Sequence, residues 1–303
     1  MSLGELARPI TIYWDLTPLP PIAPDYGQIC LQITAVKPLQ LHLLDCSPNL
    51  DQPCFAILEQ MRDTPLAIVL TTDPASISKT CLDRLHNLRL RGLLLRASSF
   101  AELAGIPAIR DDVGSRFATG VAFQVNQKNW LELPTVVAFC LEHGISSLTL
   151  PMQRLYGDEP PFIPAAHEQS RLTELLAGLD YSAMRLTIHD PFLWRAFNPT
   201  SPFPGGGCQA ANTMLAISPD GTVYPCPTLP LALGNLYAST LEEILASAAK
   251  KDLRVMLRKT PEECGGCKEL KQCRGGCRGR SLVLHGSVCS LDPACEQFSN
   301  NTN

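Results

Sequence analysis

The stretch Cys264-Gly265-Gly266-Cys267-Lys268-Glu269-Leu270-Lys271-Gln272-Cys273-Arg274-Gly275-Gly276-Cys277 decides how this chain is read. A Cys-x2-Cys turn places two thiolates around one tight bend, near enough to share a metal or one edge of a cluster. Gly265-Gly266 and Gly275-Gly276 supply the positive-φ freedom that a cluster-wrapping loop needs. Lys268, Lys271, Arg274, Arg278 and Arg280 accompany these thiols. Such cations are expected to lower thiolate pKa values and to offset the negative charge of a thiolate-bound cluster.

Working outward, Cys277 is followed after seventeen intervening residues by Cys295, and Cys208-x12-Gly221-x4-Cys226 lies upstream. The run Leu215-Ala216-Ile217-Ser218-Pro219-Asp220-Gly221-Thr222-Val223-Tyr224 predicts two short strands around a Pro-Asp-Gly turn. Such a hairpin brings Cys208 towards Cys226. Thr240-Leu241-Glu242-Glu243 is a capping box that predicts a helix over 241–249.

The remaining composition is ordinary: 303 residues, 45% hydrophobic, 18% charged, net charge −4. That balance gives no global pull towards nucleic acid or an anionic membrane. No apolar run reaches bilayer-spanning length, and MSLGELARPI lacks a signal-peptide core, so a cytoplasmic protein is expected. Thirteen cysteines in a reducing compartment point to metal or redox chemistry rather than disulfides. Five are scattered (Cys30, Cys46, Cys54, Cys81, Cys140), and eight crowd into 208–303. The shift follows the Pro/Gly stretch 202–207, which predicts a first domain over 1–200, a second over 208–298 and a tail at 299–303.

The first domain alternates β and α patterns. Strands are expected over 10–15, 41–45, 67–71, 92–96, 119–125, 147–150 and 185–189, with helices over 54–62, 76–88 and 130–143 and Gly144 as a C-cap. Six or seven βα units fall short of the eight that close a barrel, so an incomplete (β/α) barrel is expected. A doubly wound sheet is the alternative, although no GxGxxG or Walker loop follows a strand. In either architecture ligands sit beyond the carboxyl ends of the strands. Asp15, Asp45, Thr72, Asp73, Arg96, Asn126, Arg154, His189 and Asp190 are then placed at the mouth, each with a loop-capping role as its plainer reading. Cys81 and Cys140 fall in helical patterns and read as core.

The cysteine pattern over residues 208–298 resembles the SPASM domain, found at the C-terminus of radical S-adenosylmethionine (SAM) enzymes that modify peptides and proteins. The resemblance implies a barrel of radical SAM type and two auxiliary iron–sulfur clusters of the 4Fe–4S type. It assigns Cys208, Cys226 and Cys277 to the first cluster, and Cys264, Cys267, Cys273 and Cys295 to the second. Cys289 is an extra candidate for the open fourth place on the first cluster, or a buried free thiol. Structural zinc on the same cysteines is the competing reading. An RNA-binding knuckle lacks the aromatic stacking set that it needs.

The family's Cys-x3-Cys-x2-Cys loop is absent after the first strand, where Pro18-Leu19-Pro20-Pro21-Ile22-Ala23-Pro24 stands and Cys30 alone remains nearby. The Gly-Gly-Glu-Pro segment after the second strand is replaced by Asp45-Cys46-Ser47-Pro48. No bound SAM is therefore expected. In this the chain resembles the SPASM-domain companion proteins of GeoRSP systems. That resemblance implies a complete radical SAM/SPASM protein, a PqqD-like peptide-binding protein and a peptide substrate as partners. It implies an accessory role in electron relay or peptide positioning, with no membrane or nucleic-acid partner. Two alternatives stay open: an active enzyme with unusual cluster ligation by Cys30, Cys46 and Cys54, and a scaffold with purely structural clusters.

Overall fold

The computed structural model describes residues 4–18, 20, 24–48, 50, 53–156, 160–201 and 206–295. Part of the 202–207 linker, part of the loop after the first strand, residues 296–298 and the 299–303 tail thus lie outside the described residues. Seven parallel strands follow one another in space as in sequence: β1 (Thr11–Asp15), β2 (Gln40–Asp45), β3 (Ala67–Thr72), β4 (Leu90–Ala97), β5 (Ala118–Phe123), β6 (Ser147–Leu150) and β7 (Arg185–Ile188). Consecutive pairing without reversal is the winding of a (β/α) barrel, not of a doubly wound sheet. Among the described residues the sheet is an open arc that ends at β7 on one side and in a three-stranded extension on the other, so the barrel is incomplete.

The connecting helices are α1 (Tyr26–Val36), α2 (Cys54–Gln60), α3 (Lys79–His86), α4 (Ile106–Val113), α5 (Leu133–Glu142), α6 (Ala166–Leu176) and α7 (Pro191–Phe197). The helix expected over 76–88 starts later, because Ser78 caps it by accepting the Cys81 N–H. Gly144 ends α5 at φ 62°, with the Ile145 N–H returning to the Cys140 carbonyl, as a left-handed C-terminal stop requires. Strand alternation sends Ile12, Trp14, Leu41, Leu43 and Leu70 outward under these helices, where they form the main core.

The cysteine-rich segment joins the same sheet. β8 (Met214–Ile217) pairs in parallel with β1, placing Thr11 opposite Met214 and Trp14 opposite Ile217. β9 (Thr222–Tyr224) returns antiparallel, and β10 (Gly234–Asn235) follows it. Gly221, at φ 78°, turns the predicted hairpin, and a Cβ there would lie 2.9 Å from the Tyr237 ring. α8 (Leu241–Ala246) opens on the capping box: Thr240 Oγ1 accepts the Glu243 N–H, and Glu243 accepts the Thr240 N–H. It ends earlier than the sequence suggests, because Ser247 breaks the chain and recaps α9 (Ala248–Arg258). Two short helices complete the segment, α10 (Leu270–Cys273) and α11 (Arg278–His285).

The barrel interior is a cavity of about 2020 Å³. At mid-height Val69, Leu94 and Ala122 pack together. Beside them Tyr13 stacks on His42 at 4.8 Å, and its hydroxyl lies 3.3 Å from His189 Nε2. Burial, then the neighbouring His189, Arg154 and Arg185, push His42 down to about 4. Burial pushes Tyr13 up to about 12.

Two outcomes follow from this interior. A Cβ at Gly120 would sit 2.7 Å from the Ser147 carbonyl oxygen and 3.1 Å from Leu94. Gly120→Ala is expected to lower stability by about 1–3 kcal/mol in urea unfolding, while Gly178→Ala, in open space, changes little. Folded His42 resists protonation, so its contribution is complete above the unfolded pKa of about 6.5 and is lost as pH falls towards 4. His42→Gln should flatten the decline in urea midpoint between pH 7 and pH 5; an unchanged slope would contradict this origin.

Candidate cluster sites and barrel mouth

Of the nine residues expected at the mouth, Asp15, Arg96, Arg154 and His189 line the cavity. Asp45 and Thr72 do not. Asp15 pairs with Leu44 in the β1–β2 register, so the next residue, Asp45, faces the helices, and Thr72 is its partner there. Asp45 Oδ1 instead accepts the Ser47 N–H at 2.9 Å. Asp73 holds Arg96 through two bonds of 2.6 and 3.1 Å. Asn126 shapes its own turn by accepting from Lys128 and Asn129. Asp190 caps α7 and reaches into the cysteine-rich segment.

A bridge crosses the mouth. Arg154, beyond β6, forks onto Asp15 at the end of β1, with Nε 3.0 Å from Oδ2 and Nη2 2.7 Å from Oδ1. The Tyr156 hydroxyl also donates to Asp15. Burial raises the Tyr156 pKa, with the Asp15 charge adding to it. The Tyr156 ring stacks on Tyr224 of the hairpin at 4.7 Å. Cys46 lines this cavity, whereas Cys30 lies buried in α1 and Cys54 is buried at the start of α2. Burial pushes Cys30 up to about 12 and Cys46 up to about 11. Burial raises the Cys54 thiol as well, with Asp45 and Cys81 adding and Arg84 opposing. The structure does not gather Cys30, Cys46 and Cys54. Cys81 and Cys140 are core residues, as their helical patterns indicate.

The other cysteines fall into two groups. Cys264, Cys267, Cys273 and Cys295 line one small cavity of about 80 Å³, closed on the barrel side by Gln169 of α6 and by Phe192 and Arg195 of α7. Burial, with Cys295, Cys273 and Cys267 adding, pushes the Cys264 thiol up to about 11. Burial raises Cys273 against backbone hydrogen bonds from Gly275 and Gly276. Neither glycine admits a side chain: a Cβ at Gly275 would meet Pro261 at 2.7 Å, and one at Gly276 would meet Asp292 at 2.5 Å. Four thiols around a cavity, on a loop with no room for a Cβ, suit an iron–sulfur cluster in their donor chemistry.

Cys226 is the centre of the second group. Burial raises its pKa, and Cys208 and Cys277 add to the effect. The hairpin arms are held by the Ala211 N–H on the Pro225 carbonyl at 2.7 Å. α11 carries Cys277 against the Cys226 loop, where a Cβ at Gly279 would lie 2.0 Å from the Thr228 carbonyl oxygen. Cys289 packs into a small apolar cluster that also holds Cys208 and Cys226. Among the described residues, no three Cys, His, Asp or Glu side chains converge as ligands of a single ion.

Arg278 does lower Cys208 and Cys264, and Arg280 lowers Cys277, as expected, but the net shift is the reverse. Burial dominates at Cys208, Cys226, Cys264, Cys273 and Cys277 and raises every one. Lys268 and Lys271 are exposed. Arg278 donates to the carbonyls of Val288, Lys259 and Arg274. Arg280 is paired with Asp190 and Asp292. Sequence reasoning missed Gln169, Phe192, Arg195 and Asp292, which no local motif marks.

Comparison with known proteins places this geometry. Residues 208–268 match the SPASM family model, described as an iron–sulfur cluster-binding domain. A PqqA peptide cyclase from Xanthomonas axonopodis pv. citri is 36% identical over 289 residues, covering 86% of this chain and 75% of that protein. Among solved structures, Streptococcus suis SuiB bound to its precursor peptide SuiA superposes with a TM-score of 0.71 at 15% identity, over 95% of this chain and 76% of SuiB. The structure of anSMEcpe with bound AdoMet gives 0.70 at 16% identity, over 96% and 91% of the two chains. These two share the fold, an incomplete barrel followed by a SPASM segment. No helix among the described residues is long and apolar enough to cross a membrane. With more than a third of its aligned residues shared with a cyclase that it covers to three quarters, the chain belongs to the radical SAM SPASM family that includes the PqqA peptide cyclases.

Proposed function

We propose that this chain is an iron–sulfur accessory protein of a peptide-modifying system, in the manner of the GeoRSP companion proteins, and that it does not cleave SAM itself. Residues 1–200 are the partial barrel in this reading, and 208–298 are the SPASM domain. Cys264, Cys267, Cys273 and Cys295 hold one cluster. Cys208, Cys226 and Cys277 hold the other, with Cys289 as the candidate fourth ligand. The clusters, when bound, supply one-electron transfer. The protein's own residues exclude water from the thiols, aim backbone N–H groups at them and fix both loops against the barrel.

The observation that carries the accessory reading is the mouth. Asp15, at the end of β1, is engaged by Arg154 and Tyr156, and the loop that follows contributes no cysteine before Cys30. The peptide is the expected substrate. A complete radical SAM/SPASM protein and a PqqD-like peptide-binding protein are the expected partners in the cytoplasm. A second reading is favoured by the relatives, which are named as peptide cyclases: the chain performs radical chemistry with a cluster ligated in an unfamiliar way.

Anaerobic reconstitution separates the two. The accessory reading expects a brown protein with two clusters by iron and sulfide counting, and an EPR spectrum that SAM leaves unchanged. Reduced protein with SAM should release no 5′-deoxyadenosine. A third, SAM-sensitive cluster or steady 5′-deoxyadenosine release would establish the enzyme instead. Cys264→Ser and Cys273→Ser should each lower the iron content and the visible absorbance; a colourless, zinc-loaded wild type would sink both readings.

A further inference from the structure

Arg280, at 4% exposure, is a buried cation held by two carboxylates. Its Nε lies 3.0 Å from Asp292 Oδ1 and its Nη2 2.9 Å from Asp292 Oδ2, a forked pair. Its Nη1 donates to Asp190 and to the Phe162 carbonyl at 3.2 Å. Asp292 is fully buried. Beyond Arg280 it accepts the Cys277 N–H at 2.6 Å and the Ala294 N–H at 3.1 Å. Its backbone carbonyl accepts the Cys295 N–H at 2.9 Å. One residue therefore anchors a thiol-bearing residue of each group.

The other end of the strap belongs to the barrel. Asp190 follows His189, which lines the cavity. Its Oδ1 caps α7 by accepting from Phe192 and Leu193, each at 2.9 Å, and its Oδ2 takes Arg280. We propose that the Asp190–Arg280–Asp292 strap positions the ligand loops of both cluster sites and that Asp190 sets the reduction potential of the first from the barrel side. The proposal rests on reading the cysteines as cluster ligands.

The charges support that role. Within the strap two carboxylates flank one guanidinium, and all three groups lie within electrostatic reach of the Cys277 thiol, while Arg254 and Arg278 act on Cys208. A cluster becomes more negative on reduction, so an adjacent surplus carboxylate opposes reduction and lowers the potential. Stability alone is a weak reason for such a group, since buried ion networks are often replaceable by apolar side chains without loss.

Redox titration of the reconstituted holoprotein, followed by EPR, tests the proposal. Asp190→Asn keeps a good helix cap and removes the charge. It is expected to raise the midpoint of the first cluster and leave the second in place, with iron content unchanged. Asp83→Asn, the same charge change on exposed α3, is expected to move neither. Arg280→Lys keeps the charge but loses the fork, and both clusters should bleach faster under a chelator. An unshifted midpoint in iron-replete Asp190→Asn protein, or wild-type chelator resistance in Arg280→Lys, overturns the proposal. A wild type that binds no iron overturns the ligand reading itself.

Discussion

Everything in this molecule hangs on the parallel pairing of β8 with β1. β1 is an interior strand of the arc, bonded on one side to β2 and on the other to β8. Its Ile12 and Trp14 are wholly buried. Because β8 begins the hairpin, that register also fixes Cys226 just past the hairpin and Tyr224 over Tyr156 at the mouth. The cysteine-rich segment is thus not a bead on a linker. Its first strands are part of the barrel wall.

The chemistry of the thiols follows from where this pairing puts them. Cationic side chains near cysteines in sequence suggest reactive thiolates, but desolvation outweighs them here. In the folded protein burial makes Cys208, Cys226, Cys264, Cys273 and Cys277 harder to ionise. The buried arginines serve the fold instead, Arg278 by gathering loop carbonyls and Arg280 by gathering carboxylates.

Much of this was legible beforehand. All seven barrel strands were readable from short apolar and β-branched runs recurring between helical patterns. The Pro219-Asp220-Gly221 turn and the Thr240–Glu243 capping box were readable because local chemistry dictates them. α1, α4, α6 and α7 were not read, since their apolar spacing is interrupted by Pro, Gly or polar residues that only tertiary packing explains. The mouth was half legible. Position at a strand end does not reveal which face a side chain takes, and a one-residue alternation separates Asp15 from Asp45. The Asp15–Arg154 bridge and the Asp190–Arg280–Asp292 strap join residues far apart in sequence, and no window contains both ends.

The β1–β8 register also imposes an order on biogenesis. Thr11 leaves the ribosome some two hundred residues before its partner Met214. At about 5–20 residues per second, the first strand waits on the order of ten to forty seconds with one edge bare. During that time the nascent barrel exposes an unpaired, strongly apolar edge, the kind of surface that chaperones retain and that aggregates readily. Translation speed through the rest of the barrel, from β1 to β8, therefore sets how long that edge stays bare.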